Sequence, residues 1–203
     1  MSNQRCIETI RIENGEIANL HGHNRRCNRT RWQLYGATDT IDLRKYLHNR
    51  PTTGLVRCRI TYDHSVHRVE YFPYHPKTFQ HFKLIEGGAI EYGFKYANRT
   101  PLERLKAQAQ GFDEIIILKN GYLTDTSIAN IAFYDGSQWI TPKEPLLAGT
   151  MREQLIKTNQ LTAKPIKSED LSHFSHVALM NAMIGFQIQK NPTIHSNKEI
   201  ICL

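Results

Sequence analysis

Apolar and charged residues alternate in the opening segment of the chain. Ile10 and Ile12 are separated by a charged residue, and the turn-forming pair Asn14-Gly15 follows them. Alternation with a period of two is typical of a half-buried β-strand, and Asn-Gly is the strongest short signal for a hairpin turn. The pattern therefore predicts that the chain begins with a β-hairpin.

Further short elements are predicted up to about residue 72. They are helices at 23–34 and 39–47, the second with an aspartate at its cap, and strands at 54–62 and 66–72. A few helices packed on a few strands indicate a small α+β lobe.

The periodic pattern breaks between about residues 74 and 89. Pro73 directly precedes this stretch, and Pro76 and the pair Gly87-Gly88 lie in it; such residues are typical of a connection between domains. We place the boundary there and predict a small lobe at 1–85 and a larger lobe at 86–203.

The larger lobe is predicted to begin with a helix and to continue mainly as strands. Thr100-Pro101-Leu102-Glu103 has the form of a capping box with proline at the first helical position, so a helix is expected just after Lys95. The other predicted elements are strands at 115–118, 131–134, 139–140, 176–180 and 184–188, and a helix after Gly149.

The composition is that of an ordinary globular protein. Of the 203 residues, 40% are hydrophobic and 22% are charged, which argues against a disordered or fibrous chain. A net charge of +7, with several arginines between residues 25 and 31, allows a nucleic-acid-binding interpretation. No RRM signature, zinc knuckle or series of stacking aromatics accompanies these arginines, so we expect no nucleic-acid partner.

Charged residues interrupt the first thirty positions, so we expect neither a secretion signal nor a membrane span. The four cysteines are scattered without a CxxC pair, and the histidines lack a second cluster at ligand spacing. These patterns predict a cytoplasmic protein with reduced thiols and no metal site.

Lys95 stands out because its neighbours Tyr92, Phe94 and Tyr96 are aromatic. Desolvation favours the neutral form of a lysine amine, which is the form that attacks a carbonyl group. A solvated surface lysine is the more common interpretation of such a residue, and spacing alone does not decide between the two.

Five segments of the chain occur in an order that is characteristic of one enzyme family. They are IETIR at 7–11, Leu20-x-x-His23-x-x-Arg26, GFKYANRTPLERL at 93–105, LTDTSIANIAF at 123–133 and PLLAGTMREQLI at 145–156. In this order they resemble segments of the class IV aminotransferases and their lyase relatives, the fold-type IV pyridoxal phosphate enzymes. The resemblance implies a two-lobed α+β fold like that of D-amino-acid aminotransferase, with a trimmed small N-terminal lobe and a larger cofactor-binding lobe.

The resemblance also implies how pyridoxal 5'-phosphate is held. Lys95 would form the Schiff base and shuttle the proton, and Arg26 would bind the phosphate. Asp125 takes the place of a family glutamate that keeps the pyridine nitrogen protonated, although its side chain is one methylene shorter. Thr150 and Met151 would offer backbone N–H groups to the phosphate from the start of a helix.

The remaining implied roles concern the substrate and the rim of the site. Asn181 and Ala182 correspond to a segment of the family that contributes to cofactor binding. Arg57 and Arg99 are candidates for binding substrate carboxylates. Arg25 is the alternative to Arg26 if the register is shifted by one residue.

Three short segments favour 4-amino-4-deoxychorismate lyase within this family. They are Lys95-x-x-Asn98-Arg99, Gly149-x-Met151-Arg152 and Asn181-Ala182-Met183. The predicted function is thus a lyase that makes 4-aminobenzoate and pyruvate for folate biosynthesis, acting on a small molecule as a homodimer. The alternatives are an aminotransferase of branched-chain or D-amino acids, and a catalytically degenerate or nucleic-acid-binding basic protein.

Overall fold

The computed structural model describes residues 4–196 and 199–203. The chain forms two compact units. The small unit contains the residues up to Pro76 together with Phe94–Asn98, and the large unit contains Lys77–Gly93 and Arg99–Leu203.

This division differs from the predicted lobes at 1–85 and 86–203 in two respects. Residues 77–85 belong to the large unit, because the strand His81–Glu86 pairs in parallel with the strand Glu114–Lys119. Lys95 belongs to the small unit, because its segment pairs with the start of the first strand, where Cys6 and Tyr96 form an antiparallel bridge.

The small unit is an antiparallel sheet with one helix. The strands are β1 (Cys6–Glu13), β2 (Glu16–Ile17), β3 (Leu55–Tyr62) and β4 (Val66–Pro73), in the order β2-β1-β3-β4, and the helix is α1 (Leu20–Tyr35). The predicted hairpin is confirmed: Ile12 pairs with Ile17, and Asn14 and Gly15 turn the chain with φ values of 48° and 86°.

Helix α1 begins and ends at residues that suit those positions. Asn19 has a φ of 46° and its side chain accepts a hydrogen bond from the N–H of Gly22, while Gly36 ends the helix with a φ of 72°. The helix buries Leu20 and Cys27 in the same core as the inward face of β1. The predicted helix at 23–34 is therefore present, with slightly wider bounds.

The helix predicted at 39–47 is largely absent, and only a 3₁₀ turn at Leu43–Tyr46 forms. Two asparagines of α1 explain the difference, because Asn28 Oδ1 accepts the N–H of Ile41 and Asn24 Oδ1 accepts that of Leu43. In a continuous helix the N–H of Leu43 would bond the carbonyl of Asp39, but here Asn24 takes this N–H and Nη1 of Arg31 donates to that carbonyl at 3.0 Å. The 3₁₀ turn is capped by Asp42, whose side chain accepts the N–H of Arg44, and not by Asp39, the first residue of the predicted helix.

The large unit is built around a ten-stranded mixed sheet. Its elements are β5 (His81–Glu86), α2 (Thr100–Ala107), β6 (Glu114–Lys119), β7 (Tyr122–Thr126), β8 (Asn130–Tyr134), β9 (Trp139–Pro142), α3 (Thr150–Lys157), β10 (Thr162–Lys164), a 3₁₀ turn at Ser168–His173, β11 (His176–Asn181), β12 (Gly185–Ile188), β13 (Thr193–His195) and β14 (Ile200–Cys202). The main strand order is β10-β9-β8-β7-β6-β5-β13-β14, and β11 pairs with β8 and β12.

The strands of the large unit share one apolar core. Phe82 on β5, Ile116 on β6, Phe133 on β8 and Leu179 on β11 are fully buried in it. The capping box predicted at the start of α2 does not form, because Arg99 occupies the cap position and no side chain caps the helix. Strands β5, β7, β13 and β14 were not predicted.

No helix in the part of the chain that the structure describes is long and apolar enough to cross a membrane. All four cysteines are free thiols.

Candidate active site

The segment that contains Lys95 extends the sheet of the small unit by a short antiparallel pairing. The N–H of Ile7 donates to the carbonyl of Lys95 at 2.8 Å, and the N–H of Ala97 donates to the carbonyl of Arg5 at 2.8 Å. Phe94 and Tyr96 pack against the core of the small unit. Lys95 lies at the centre of a tight turn, in which the N–H of Tyr96 donates to the carbonyl of Phe94 at 2.9 Å, and it is half-buried.

Arg26 lies in the interior of the small unit, where it binds the carboxylate of Glu8. Its Nε and Nη2 donate to the two oxygens of Glu8 at 2.9 and 2.5 Å. Nδ1 of His23 lies 2.6 Å from the same carboxylate. All three side chains are buried, with Glu8 and His23 at 0% exposure. The segments IETIR and Leu20-x-x-His23-x-x-Arg26 therefore meet in one buried ion pair.

The Glu8 carboxylate is strongly held in its ionised form. Burial alone would raise its pKa, but the charge of Arg26 and the hydrogen bonds from His23 and Arg26 outweigh burial and lower the pKa to about 2. An ionised carboxylate only accepts hydrogen bonds, so Nδ1 of His23 is the donor in this pair. The same contact raises the pKa of Arg26 against the opposing effect of burial.

Arg57 occupies the face of the small sheet that points away from the core. It lies on β3 between the buried residues Val56 and Cys58, and it is exposed. Its guanidinium carbon is 5.1 Å from the centre of the Phe72 ring, and Arg11 is its partner across β1 and β3. This outward position leaves the charge of Arg57 accessible to an anion.

Asp125 ends up beside Asn130 because of a tight turn in the large unit. The hydroxyl of Thr126 accepts the N–H groups of Ile128 and Ala129 at 3.2 and 2.9 Å, which reverses the chain between β7 and β8. Asp125 and Asn130 then pair directly. Nδ2 of Asn130 donates to Oδ1 of Asp125 at 2.6 Å.

The carboxylate of Asp125 is buried, and among the described residues its hydrogen-bond donors are neutral: the side-chain amide of Asn130 and the backbone N–H groups of Leu147 and Leu146. Its second oxygen accepts the N–H of Leu147 at 2.9 Å. Burial raises its pKa to about 6, although the hydrogen bonds of Leu147 and Asn130 and the charge of Arg152 oppose the increase. A carboxyl group with this pKa changes its protonation close to neutral pH, as general acids and general bases often do.

Helix α3 begins close to this carboxylate, directly after Gly149. By the geometry of a helix start, the N–H groups of Thr150 and Met151 have no carbonyl partner within α3. Thr150 is buried, and the side chain of Met151 packs against an apolar cluster of the large unit. The group that Met151 can offer to an anion is therefore its backbone N–H.

Arg99 and Asn181 both bind the turn between β7 and β8. Nη2 of Arg99 donates to the carbonyl of Ser127 at 2.8 Å, and Nδ2 of Asn181 donates to the carbonyl of Ile128 at 3.3 Å. Oδ1 of Asn181 also accepts the N–H of Met183, which shapes the turn that contains Ala182. The predicted residues Arg99, Asn181 and Asp125 are thus joined through one turn.

The structure places the predicted site residues in two groups. The small unit contains Lys95, Arg26 and Arg57, and the large unit contains Asp125, Thr150, Met151, Arg99, Asn181 and Ala182. Sequence reasoning missed Glu8 and Asn130, although both lie in segments that carry the resemblance. Among the described residues, no group of three or more His, Cys, Asp or Glu side chains could hold a metal ion.

Comparisons with known proteins point to one family. A family model described as amino-transferase class IV matches residues 5–190. The chain is 38% identical to an uncharacterized protein of Haemophilus influenzae over 187 residues, which are 88% of this chain and 97% of that protein. It is 36% identical to a Haemophilus somnus 129PT protein whose crystal structure is described as a "putative 4-amino-4-deoxychorismate lyase", over 91% of this chain and 99% of that chain, with a TM-score of 0.84.

A more distant structure shows how widely this fold is shared. A branched-chain aminotransferase from the archaeon Thermoproteus uzoniensis, solved with norvaline, superposes with a TM-score of 0.78 over 98% of this chain and 80% of that chain, at 17% identity. The fold alone therefore does not distinguish a lyase from an aminotransferase.

Proposed function

Because the chain belongs to the class IV amino-transferase family of pyridoxal phosphate enzymes, we propose that it converts 4-amino-4-deoxychorismate into 4-aminobenzoate and pyruvate. The observation that supports this reaction most is the 36% identity with the Haemophilus somnus protein across 91% of the chain. The reaction splits one substrate into two products, so it needs neither water nor a keto-acid acceptor.

The described residues fit pyridoxal 5'-phosphate chemically. Asp125 is a buried carboxylate that accepts hydrogen bonds from the Asn130 amide and from the N–H groups of Leu147 and Leu146, so at least one of its four lone pairs remains for the N–H of a pyridinium ring. Arg26 supplies a cation whose Nη1 is not used by Glu8. The start of α3 supplies backbone donors at Thr150 and Met151, which suit a phosphate.

Each proposed role follows from the chemistry of the side chain. When bound, the cofactor supplies an electron-accepting ring that stabilises negative charge on the substrate carbon next to the amine. Lys95 would hold the cofactor through its carbonyl carbon, and its amine would take the proton from the ring carbon that bears the substrate amine. The bond between the neighbouring ring carbon and the ether oxygen would then break and release the enolpyruvyl group. Lys95 would return the proton to the methylene carbon of that group, which becomes the methyl group of pyruvate.

The substrate carries two carboxylates, which require cations. We assign this role to Arg57, which is exposed, and to Arg99, whose Nη2 is fixed by the carbonyl of Ser127. Asn181 and Ala182 are assigned to the rim of the cofactor site, where Asn181 stabilises the turn between β7 and β8.

The cofactor is tested first by absorption spectroscopy. Purified protein with added pyridoxal phosphate should show an imine band at about 410–430 nm that borohydride reduction traps covalently. Lys95→Ala should show no trapped band, and Lys119→Ala, at another lysine of the chain, should behave as the wild type. The absence of a trapped band in the wild type would refute the proposal.

The reaction is tested by product analysis. With 4-amino-4-deoxychorismate alone, the protein should release pyruvate and 4-aminobenzoate in a ratio of one to one. An aminotransferase of branched-chain or D-amino acids is the second candidate, because the family model that matches residues 5–190 is described as amino-transferase class IV. If the protein were an aminotransferase, it would form no pyruvate from this substrate and would require a 2-keto acid to turn over an amino acid.

We also propose that the protein is a cytoplasmic homodimer, as members of the family commonly are. The free thiols of all four cysteines support a reducing compartment. Light scattering during gel filtration should give about twice the mass of the 23.5 kDa chain.

A further inference from the structure

Asn130 connects Asp125 to the segment that leads into α3. Its single amide nitrogen donates to Oδ1 of Asp125 at 2.6 Å and to the carbonyl of Leu147 at 2.8 Å. The N–H of Leu147 in turn donates to Oδ2 of Asp125 at 2.9 Å. The three residues thus form a closed ring of hydrogen bonds within the large unit, and Asp125 and Asn130 are 4% and 6% exposed.

Gly149 allows this approach because it lacks a side chain. A Cβ atom at Gly149 would lie 1.9 Å from Oδ1 of Asn130, well inside the closest contact that real Cβ atoms make. The φ of Gly149 is −72°, so its backbone conformation is open to other residues. The glycine is therefore required by the closeness of Asn130, and α3 begins with the next residue.

We propose that Asn130 is a positioning residue, which holds the carboxylate of Asp125 and the start of α3 in one fixed arrangement. The link to catalysis rests on the proposed function, in which Asp125 binds the ring nitrogen and α3 binds the phosphate of the cofactor. The hydrogen-bond ring itself is independent of that function.

The chemistry of asparagine explains why this residue type occupies the position. One amide group provides two N–H donors for two acceptors, the Asp125 carboxylate and the Leu147 carbonyl. Aspartate at this position would offer no donor and would add a second negative charge beside Asp125. Alanine would leave both acceptors without this donor in a buried environment.

The test uses the apo protein and measures the titration of Asp125 by NMR of its carboxyl carbon. Asn130→Ala removes a donor to the charged form, so the pKa of Asp125 should rise above about 6 by roughly one unit. Gly149→Ala should displace the Asn130 side chain and raise the same pKa. Gly93→Ala is the matched control, because a methyl group there meets no atom within 4 Å.

A second readout is the dissociation constant for pyridoxal phosphate, which both variants should increase about tenfold relative to the wild type. Melting temperatures identify variants that are not folded. If Asn130→Ala does not fold, the pKa of Asp125 and the cofactor affinity are compared between Gly149→Ala and the wild type. An unchanged pKa of Asp125 in a folded Gly149→Ala variant would overturn the inference, as would a raised pKa with unchanged cofactor affinity. A wild type that binds no cofactor would refute the proposed function, while the titration would still test the role of Asn130.

Discussion

Each unit of the molecule contains a buried carboxylate in a segment that carries the family resemblance, and the hydrogen-bond donors around the two carboxylates differ in charge. Glu8 in the small unit receives a guanidinium group on both oxygens, together with an imidazole N–H. Asp125 in the large unit receives an amide N–H from Asn130 and a backbone N–H from Leu147. Burial is almost complete in both cases, at 0% and 4% exposure.

Because both carboxylates are buried, the difference between them comes from the charge of their partners, which decides whether each carboxylate is protonated. The cation beside Glu8 lowers its pKa to about 2, so Glu8 stays ionised and acts as a fixed structural anion. The neutral donors around Asp125 leave the effect of burial dominant, and its pKa rises to about 6. Asp125 is therefore sensitive to any cation placed beside it, such as a protonated pyridine ring.

The largest expected effect comes from breaking the ion pair of Glu8. Glu8→Gln leaves the guanidinium of Arg26 buried without a counter-ion, which should lower the free energy of unfolding by about 3–5 kcal/mol. Chemical denaturation at neutral pH measures this loss. The control is Glu13→Gln, which removes an exposed ion pair with Arg11 in the same strand and should cost at most about 1 kcal/mol. Equal losses of unfolding free energy in the two variants would show that the buried ion pair of Glu8 contributes no more to stability than the exposed pair of Glu13.

The next effect concerns how stability depends on pH. The folded-state pKa of Asp125 lies above its ordinary value, so its contribution to stability is complete below about pH 4 and is lost as pH rises through about 6. A difference of about two units corresponds to about 3 kcal/mol. In Asp125→Asn, the decrease in stability between pH 4 and 8 should be smaller than in the wild type by about this amount.

Asp135→Asn serves as the control for that titration. Asp135 precedes β9 in the same sheet, and hydrogen bonds from the N–H groups of Gln138 and Ser137 lower its pKa to about 2. It is ionised throughout the range from pH 4 to 8, so the variant should keep the pH dependence of the wild type. The predicted sign would be wrong if, between pH 4 and 8, the free energy of unfolding fell more in Asp125→Asn than in the wild type.

The contribution of Glu8 has the opposite sign. Its folded-state pKa is lowered, so the stability that it provides is present above its ordinary pKa of 4.5 and is lost as pH falls toward 2. Glu8→Gln should therefore lose less stability between pH 5 and 2 than the wild type does. Acid denaturation monitored by circular dichroism measures the difference.

The smallest effect concerns the charge of Arg152. This buried arginine donates to the carbonyl of Pro142 and lowers the pKa of Asp125 only through its charge. Arg152→Met should raise the pKa of Asp125 by less than Asn130→Ala does, because a charge without a hydrogen bond contributes less. A larger shift in Arg152→Met would assign the electrostatic control of Asp125 to Arg152.

Much of the small unit could be predicted from local signals. The Asn14-Gly15 turn and the strand-like composition of β3 and β4 each depend on neighbouring residues, and the structure confirms the hairpin and both strands. The pairing of Glu8 with Arg26 could not be predicted, because it depends on how α1 packs on β1. Both residues lie in segments that carry the family resemblance. The available signal for a buried ion pair was that Glu8 lies on the same face of β1 as the apolar residues Ile10 and Ile12.

Less of the large unit could be predicted because its sheet depends on distant partners. Strand β5 pairs with β6 and β13, so Phe82 lies beside Glu114 and Ile194. Nothing near residues 81–86 reveals these partners, and the surrounding prolines and glycines suggested a linker. The position of Lys95 beside β1 was missed for the same reason, although its identity as a candidate residue came from the resemblance.

The most direct test of the account measures both carboxyl groups in one experiment, by NMR titration of protein labelled at the Asp and Glu carboxyl carbons. Without ligand, Asp125 should titrate near 6 and Glu8 near 2. On addition of pyridoxal phosphate, the pKa of Asp125 should fall because a pyridinium cation stabilises the ionised form, while that of Glu8 should not change. An Asp125 that titrates near 4 without ligand, or that does not respond to the cofactor, would contradict the account.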